Sequence, residues 1–393
     1  MSARYRPSFA EVDLTKLIHN FRLLQSLIQP GSFFCPMIKA NAYGHGDIEV
    51  GRTLRNEGAS HLGVALIEEA IGLRQSGDRE PILIFSAFED EASAQAIHEF
   101  KLTTVAGSWG QLEALRRTAR SGASQPTPIH LEFNTGMNRL GFAVAEAPKL
   151  RQWFEKELNF QIEGVCTHLL HGEDASSASG FSGAQIEQFQ LALKSFHDLP
   201  VAAHILNSSG AAAFSQRHEA KKFGFRPGIA LYGSQPSSEP ELALSLKAAL
   251  SLKSKLVSIL AVPTGKSVSY DATWVAKRDS VIGIVPFGYA DGFSRRLSNR
   301  GAVLCAGMRV PVVGTVCMDF FMIDLTDLAA ARSGPSDLAV GTEIVLIGEQ
   351  AGSQGKAVIR AEDIAELCAT ISYEIFTSIG QRVPRIYIRP GVQ

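Results

Sequence analysis

The sequence predicts an α/β fold: a (β/α)8 barrel of the TIM type followed by a mostly β C-terminal domain. Three observations support it: a length of 393 residues, apolar runs that alternate with helical segments up to residue 233, and strand patterns with few helices after residue 240. We place the barrel in residues 1–240 and the β domain in residues 241–393. The first ~10 residues are able to join the β domain instead.

Eight apolar runs rich in β-branched residues are the predicted barrel strands: Phe33–Lys39, His61–Leu66, Pro81–Ser86, Leu102–Val105, Pro128–Phe133, Ile162–His168, Ala202–Leu206 and Gly224–Tyr232. Helical candidates between them include Ile67–Ser76, Ser108–Arg120 and Ala184–His197. Apolar strands separated by helices are typical of a parallel sheet covered on its outer face, and eight such units over ~200 residues favour a closed barrel over an open sheet.

The region after residue 240 contains mainly strand patterns. The predicted strands are Ser251–Leu260, Ser267–Tyr270, Val281–Pro286, Ala302–Val313, Met318–Asp324, Glu343–Gly348 and Ile386–Ile388. One helix is predicted near Arg360–Ile379. The early segment Ser8–Leu14 fits a strand of either domain.

Composition excludes several classes of function. Thirty-eight basic and 39 acidic residues give a net charge of −1, too balanced for non-specific nucleic-acid binding. No secretory signal is evident, and no apolar run approaches the ~18 residues of a membrane helix. The cysteines Cys35, Cys166, Cys305, Cys317 and Cys368 are odd in number and lack zinc-site spacing, which predicts reduced thiols and a cytoplasmic location.

Unusual polar residues stand where the predicted barrel strands end. Lys39 ends the first strand, Glu132 the fifth and His168 the sixth, while Asn207 follows the seventh and Arg226 lies in the eighth. Active sites of such barrels lie at the C-terminal ends of the strands. These residues are therefore the first candidates for a catalytic site.

Lys39 follows the apolar run Phe33–Ile38. An apolar environment lowers the pKa of an amine, and a neutral lysine is what a Schiff-base nucleophile requires. The alternative is a lysine that extends from a strand end into water. The loop Ala40–Gly46, rich in polar and aromatic residues, favours the functional interpretation.

The last two predicted loops of the barrel suggest a phosphate site. Asn207–Gly210 and Arg226–Ile229 offer hydroxyl and backbone N–H groups at the place where barrels bind phosphate. The alternative for Ser208 or Ser209 is a helix N-cap. Thr264–Ser267 lacks the glycine spacing of a P-loop, and the polar residues His168–Asp174 lack the spacing of metal ligands, so no metal is expected.

Taken together, these features resemble the alanine racemase family of barrel-type pyridoxal-phosphate enzymes. The matching motifs cover essentially the whole chain: residues 37–46 (MIKANAYGHG), 134–142 (NTGMNRLGF), 167–168 (TH), 207–208 (NS), 226–233 (RPGIALYG), 269–270 (SY), 288–292 (GYADG), 313–319 (VGTVCMD), 371–374 (ISYE) and 382–385 (RVPR). The resemblance implies pyridoxal 5'-phosphate as cofactor and interconversion of L- and D-alanine by a two-base lysine and tyrosine mechanism.

The resemblance also implies the roles of individual residues. Lys39 and Tyr270 are the expected catalytic pair, and Lys39 also carries the cofactor as a Schiff base. The other expected cofactor contacts are Tyr43, Arg139, His168, Asn207, Ser208, Arg226, Gly228, Ile229 and Tyr373. Arg139, Met318 and Tyr289 are the expected substrate contacts, with Glu132 and Asp319 in support.

A homodimer with shared active sites follows from the same resemblance, because the β domain of this family reaches the partner's barrel mouth. The expected D-alanine supply for cell-wall synthesis is likewise a family property. The alternatives are a racemase of broader specificity that accepts serine or other small amino acids, a non-catalytic pyridoxal-phosphate-binding protein, and a barrel-type decarboxylase or aldolase.

Three positions depart from the family pattern. Glu132 stands where the family usually has a lysine, often carbamylated, and we expect this carboxylate to orient Arg139 directly. Asn134 replaces an aspartate, and Thr315 replaces an arginine that many members carry near the access channel. The last change is expected to widen or neutralise that channel, so the preference for alanine is less secure than the reaction type.

Overall fold

The computed structural model describes residues 5–119, 126–176, 180–214, 222–237, 239–331, 338–353, 355–389 and 391. The chain divides into two compact units. One comprises residues 1–16, 43–45 and 248–393, and the other comprises residues 17–42 and 46–247. The division thus falls at residue 247, and the first sixteen residues group with the C-terminal unit.

The larger unit contains a parallel sheet whose strands follow one another in chain order. The strands are Leu62–Val64, Ile82–Ile84, Thr103–Ala106, Thr127–Asn134, Phe160–Cys166, Ala202–Leu206 and Gly224–Phe225, with the short strand Phe142–Ala143 paired to the end of Thr127–Asn134. These strands are buried almost throughout, as expected for a sheet covered on both faces.

The segment of residues 33–39 closes the sheet into a barrel. Phe34 forms a parallel bridge with Phe225, and Met37 forms one with Gly63. Its backbone alternates between the two neighbours: Cys35 N donates to Phe225 O at 2.9 Å and Ile38 N to Gly63 O at 2.8 Å. Pro36 has no N–H to donate, so this first strand is a pair of bridges rather than a regular ladder. The predicted (β/α)8 barrel is confirmed.

Helices connect the barrel strands. They are Leu14–Gln25, Asp47–Asn56, Ile67–Gln75, Glu91–Glu99, Trp109–Thr118, Ala147–Phe154, Phe181–Leu193 and Ser208–Phe214. The predicted helix from Ser108 begins one residue later, because the Ser108 hydroxyl accepts from Gln111 N at 3.2 Å and caps the helix. The predicted eighth strand ends at Phe225, and Ile229–Tyr232 forms a 3-10 turn after Pro227 and Gly228.

The smaller unit is mostly β, as predicted. Its largest sheet has the strand order Ser258–Val262, Ser280–Val285, Phe321–Asp324, Met308–Val313, Ala302–Cys305, Glu343–Gly352, Leu250–Lys255, Phe9–Asp13 and Arg385–Ile388, with Gly355–Ile359 paired to Glu343–Gly352. A separate hairpin joins Ser267–Val268 to Trp274–Val275, and the helices are Thr326–Ala331, Ala361–Cys368 and Ser372–Thr377.

Several predicted elements of this unit are split by turns. The run Ala302–Val313 is a hairpin, because Ala306 and Gly307 adopt positive φ of 53° and 79°, as two-residue hairpin turns require. The predicted helix Arg360–Ile379 breaks at Ala369, whose φ is +53°. The early strand Phe9–Asp13 pairs with Leu250–Lys255 and Arg385–Ile388. The early segment, which fitted a strand of either domain, therefore belongs to the sheet of the smaller unit.

A buried ion cluster holds the N-terminal arm in the β unit. Asp291 is fully buried. Arg6 binds its carboxylate with both terminal guanidinium nitrogens, and Nη1 lies 2.7 Å from Oδ1. Arg6 Nη2 also donates to Pro286 O at 2.7 Å, and Arg382 Nε lies 3.3 Å from Asp291 Oδ1. Gly288 N donates to Asp291 Oδ2 at 3.0 Å. Asp291 therefore joins the N-terminal arm to the turn that follows Gly288.

Replacing Arg6 with methionine should lower the free energy of unfolding by about 3 kcal/mol, because a buried carboxylate loses its main partner. Urea unfolding measures the loss. The matched control is Arg278→Met in the same unit, where the pair with Asp327 is exposed and is worth at most about 1 kcal/mol. Equal effects of the two substitutions would contradict the importance of the buried pair.

Candidate active site

Lys39 is followed by a left-handed turn at the barrel mouth. Ala40, Asn41, Ala42 and Tyr43 have φ between 52° and 54°, a conformation that costs roughly 1–2 kcal/mol per residue for L-amino acids. Ala40 N donates to Glu69 Oε1 at 2.5 Å, and Asp47 N donates to Asn41 Oδ1 at 3.0 Å. Such strain persists only where surrounding contacts determine the backbone, which is common at functional sites.

The environment of the Lys39 amine favours its neutral form. Burial lowers its pKa, and the positive charges of Arg139 and Arg226 lower it further, while Glu69 partly opposes the shift. The apolar run before Lys39 predicted this direction. Glu69 was not predicted: its carboxylate also accepts from Ala65 N at 2.8 Å and Leu66 N at 3.1 Å, so one side chain links the second strand end to the Lys39 turn.

Arg226 is buried in the barrel, and both of its terminal guanidinium nitrogens donate to neighbouring acceptors. Its Nη1 donates to His204 Nδ1 at 2.6 Å and to His204 O at 2.8 Å. Its Nη2 donates to Thr167 O at 2.9 Å and to His168 Nδ1 at 3.3 Å, and the guanidinium lies 5.6 Å from the centroid of the Phe85 ring. None of these acceptors is a carboxylate, so the guanidinium keeps its positive charge inside the barrel without a directly hydrogen-bonded anion.

Two buried histidines extend this chain into the barrel interior. Arginine only donates, so His204 Nδ1 is an acceptor and its proton lies on Nε2. Nε2 then donates to His130 Nδ1 at 2.7 Å, and Phe33 stacks on His204 with ring centroids 4.5 Å apart. A Cβ at Gly164 would collide with the His130 ring. Sequence reasoning missed both histidines, although each lies in an apolar strand.

Burial keeps the three imidazoles neutral. Desolvation, with Arg226 as the next cause, lowers the pKa of His168 to about 3 and that of His204 well below its ordinary value. Desolvation and the charges of His61 and Arg226 lower the pKa of His130 to about 3. His168 accepts from Arg226 at Nδ1, so its proton lies on Nε2 and is able to donate.

The predicted phosphate loops lie side by side. Gly228 N donates to Ser208 Oγ at 3.0 Å. The Ser208 oxygen acts as the acceptor in this bond, so its hydroxyl hydrogen is able to donate to another group. Asn207, rather than Ser208 or Ser209, caps the following helix: its Oδ1 accepts from Gly210 N at 2.8 Å. The alternative interpretation of Ser208 or Ser209 as the helix N-cap is therefore wrong, and the Ser208 hydroxyl is not used for capping.

The loop that carries Arg139 is shaped by Asn134. Asn134 Oδ1 accepts from Gly136 N at 3.1 Å and from Asn138 N at 3.0 Å, a role for which an amide serves as well as a carboxylate. Arg139 itself is exposed. The Asn134 position thus preserves the loop despite the missing charge.

Glu132 is buried on the strand Thr127–Asn134. Burial raises its pKa, while Arg226 and Arg139 lower it. Within the described residues, no ion pair of 4.0 Å or less joins Glu132 to Arg139, so the structure does not form the expected direct contact. The two charges interact through space instead.

The expected site residues of the β unit are mostly exposed in their own chain. Tyr270 is 68% exposed, Met318 52% and Tyr289 43%. Tyr289 N donates to Cys317 O and Ala290 N to Met318 O, each at 3.1 Å, so these two loops form one surface. Asp319 binds Arg382 Nη2 at 2.6 Å, and Tyr373 lies 6.0 Å from Tyr43 between ring centroids.

The described part of the chain contains no group of three or more His, Cys, Asp or Glu residues able to hold a metal ion. It also contains no helix long and apolar enough to cross a membrane.

Comparison with known proteins agrees with this arrangement. Residues 12–236 match the model of the alanine racemase N-terminal domain, and residues 249–387 match that of the C-terminal domain. The chain belongs to the alanine racemase family. Both domains of that family are present, and in the same order.

Relatives that align over their full length are named alanine racemase. Alanine racemases of Sorangium cellulosum and Carboxydothermus hydrogenoformans are 38% and 37% identical, each alignment covering 98% of this chain and 100% of the relative. The crystal structure of alanine racemase from Bacillus anthracis with bound L-Ala-P superposes with a TM-score of 0.87 at 32% identity, covering 100% of this chain and 97% of that one. Alanine racemase from Bartonella henselae with covalently bound pyridoxal phosphate gives 0.82 at 28% identity, covering 97% and 99%.

The neutral histidines predict acid sensitivity of the racemase fold. The unfolded chain binds protons at these histidines below about pH 6.5, whereas the folded chain does so only near pH 3 for His130 and His168. Their contribution to the free energy of unfolding is thus complete above pH 6.5. It is lost as the pH falls, by up to about 1.4 kcal/mol per pH unit for each histidine.

Urea unfolding between pH 7.5 and 5.0 measures this slope. His130→Gln should flatten it, whereas His197→Asn, at an exposed position, should leave it unchanged. An identical slope in the native protein and the His130 variant would contradict the assignment.

Proposed function

We propose that this protein is an alanine racemase that interconverts L- and D-alanine with pyridoxal 5'-phosphate. The observation that carries the proposal is the match of both family domains over residues 12–236 and 249–387. The bound cofactor supplies the electron-withdrawing group that makes the Cα proton of the amino acid removable. Decarboxylase, aldolase and non-catalytic alternatives have no comparable support.

The residues at the barrel mouth fit this cofactor. Lys39 is the attachment point, and its lowered pKa supplies the neutral amine that attachment requires. Arg226 is proposed to donate to the pyridine nitrogen and, since it keeps its proton, to leave that nitrogen unprotonated. The proposed phosphate contacts are Ser208, Gly228, Ile229, Tyr43 and Tyr373, with Asn207 shaping the loop.

Lys39 and Tyr270 are proposed as the two catalytic groups. Racemisation removes a proton from one face of Cα and returns one to the other, so two groups on opposite faces are needed. The unperturbed pKa of a tyrosine is about 10, and a phenolate therefore needs hydrogen-bond donors. His168 provides such a donor at Nε2, because its Nδ1 accepts from Arg226.

Substrate recognition is proposed to use charge and size. The Arg139 guanidinium and the Met318 backbone N–H would bind the carboxylate of alanine, and Arg139 would also contact the cofactor. Tyr289 would narrow the entrance. Because nothing among these groups selects sharply between a methyl and a hydroxymethyl side chain, serine is the competitor to measure beside alanine.

A homodimer with shared active sites is the proposed assembly. Tyr270, Tyr289 and Met318 are exposed in their own chain, which suits side chains that complete a partner's site. We also propose a cytoplasmic location, because Cys35, Cys166, Cys305, Cys317 and Cys368 are thiols that form no disulfide, and all but Cys317 are buried. Supply of D-alanine to the cell wall is the proposed physiological role.

The decisive assay is incubation of the purified holoenzyme with L-alanine in deuterated water. Racemisation with deuterium at Cα is expected. Lys39→Ala or Tyr270→Phe should reduce the racemisation rate about 10²- to 10⁴-fold. Tyr270→Phe should have its largest effect on the half-reaction in which Tyr270 removes the Cα proton. Tyr5→Phe, at a position 97% exposed, is the matched control.

Cofactor binding without exchange at Cα would contradict racemase function and favour a binding protein. Release of CO₂ would favour a decarboxylase. Racemisation of serine at the same rate as alanine would indicate a racemase of broader specificity, with the reaction type unchanged.

Glu132 is proposed to supply Arg139 with a negative charge that does not depend on carbon dioxide, in place of a carbamylated lysine. The activity should therefore be independent of bicarbonate. Glu132→Gln and Glu132→Ala should weaken alanine binding about three- to tenfold in KM, because the field on Arg139 changes. Steady-state kinetics in carbon-dioxide-depleted buffer measure both effects.

Glu163→Gln is the matched control, since this partly buried glutamate lies on the neighbouring strand Phe160–Cys166. A bicarbonate requirement in the native enzyme would overturn the proposal. Unchanged kinetics in both Glu132 variants would do so as well.

A further inference from the structure

We propose that Thr315 is a positioning residue that fixes the backbone turn carrying Tyr270. This inference rests on the proposed function, in which Tyr270 exchanges a proton with Cα. It concerns a position where the sequence comparison led us to expect an effect on a channel. Thr315 is 4% exposed and thus buried in its own chain.

Two reciprocal hydrogen bonds join Thr315 to the Tyr270 turn. The Thr315 hydroxyl donates to Tyr270 O at 3.1 Å. In the opposite direction, the Ser269 hydroxyl donates to Thr315 O at 2.6 Å. Thr273 Oγ1 lies 3.3 Å from Thr315 Oγ1 and adds a third connection. Thr315 therefore contacts residues on both sides of Tyr270 as well as Tyr270 itself.

The turn needs such support because its backbone is strained. Ser269, Asp271 and Ala272 have positive φ of 69°, 61° and 45°, and none is glycine. Left-handed conformations of this kind cost of order 1–3 kcal/mol each and persist only when the surroundings determine them. Asp271 and Ala272 are exposed, so packing of their side chains contributes little. The hydrogen bonds to Thr315 therefore support the turn, beside the pairing of Val268 with Trp274 and the ion pair of Asp271 with Arg295.

The chain on the Thr315 side is itself fixed. Gly314 has φ of +74°, and a Cβ there would lie 2.6 Å from Val268 O, so this backbone packs closely against the start of the turn. Gly314 N donates to Asn299 Oδ1 at 2.6 Å, and Asn299 Nδ2 donates to Thr273 Oγ1 at 3.0 Å. The hydrogen bonds form a closed circuit around the turn, with Thr315 at its centre.

The orientation of Tyr270 depends on this backbone. Its side chain is 68% exposed, so neighbours in the same chain do not hold the ring in place. A misplacement of about 1 Å in a catalytic group is able to cost roughly a hundredfold in rate. The position of the phenol therefore follows from the turn, and the turn follows from Thr315.

Three variants of the full-length holoenzyme test the proposal. Thr315→Val keeps the shape and removes the hydroxyl, and Thr315→Ser keeps the hydroxyl. Thr342→Val is the matched control: it removes a hydroxyl that donates to Ala339 O at 2.8 Å in another turn of the same unit. Hydrogen exchange of the backbone amides in residues 268–275 reports on the turn, and thermal unfolding reports on the whole fold.

Thr315→Val should exchange about tenfold faster in residues 268–275 than the native protein, as expected for loss of one buried hydrogen bond. Thr315→Ser and Thr342→Val should exchange at the native rate there. This measurement does not require turnover. It therefore still tests the support of the Tyr270 turn by Thr315 if the native protein proves not to racemise alanine. That failure to racemise would contradict the proposed function instead.

Kinetics provide the second readout. In Thr315→Val, kcat/KM should fall about tenfold for both enantiomers, which have equal free energies, and Thr315→Ser should restore it. Slower transfer at Tyr270 should raise the primary isotope effect for the Cα-deuterated enantiomer that gives its proton to Tyr270 and lower it for the other. A general loosening of the fold would not move the two isotope effects in opposite directions.

Unchanged exchange in residues 268–275 of Thr315→Val would overturn the proposal. Equal losses in Thr315→Val and Thr315→Ser would also overturn it, because the hydroxyl would then have no special role. Parallel isotope effects for the two enantiomers would show that Thr315 does not act through Tyr270.

Discussion

The positive charge of Arg226 inside the barrel is the constraint on which the candidate site depends. Besides the effect of burial, this charge lowers the pKa of each ionisable group around it: Cys35, Lys39, His130, Glu132, Cys166, His168 and His204. It thereby favours a neutral amine at Lys39, neutral imidazoles and an ionised Glu132. One buried guanidinium thus biases the protonation states of the barrel residues around it.

The two units support their functional groups in different ways. In the barrel, charged and polar side chains are buried and held by donors from the strands, as for Arg226 between His204 and His168. In the β unit, the expected catalytic and substrate-binding residues are exposed, and their backbones are fixed instead, by Thr315 beneath Tyr270 and by the Asp291 cluster beside Tyr289. This arrangement suits the proposed homodimer, in which exposed groups whose backbones are already ordered would complete the partner's site.

The sequence predicted most of the fold and the residues at the strand ends, since apolar periodicity and the position of Lys39, His168 and Arg226 are local properties. It did not predict that the first strand is reduced to two bridges, which depends on pairing across the closed sheet at Phe34 and Met37. It also missed Glu69, His130, His204 and the buried position of Thr315. Each of these depends on contacts between distant segments, which periodicity does not encode. The expected direct contact of Glu132 with Arg139 does not form because Glu132 is buried in its strand and Arg139 is exposed in the loop.

The central claim is tested most directly by titrating the buried histidines while the charge at Arg226 is changed. Holoenzyme labelled with ¹³C at histidine Cε1 would be compared by NMR with Arg226→Gln, which loses the charge, and Arg226→Lys, which keeps it. The account predicts that His168 and His204 gain protons at a higher pH in Arg226→Gln than in the native protein, and that Arg226→Lys shifts them less. Identical titrations in the native protein and Arg226→Gln would contradict it.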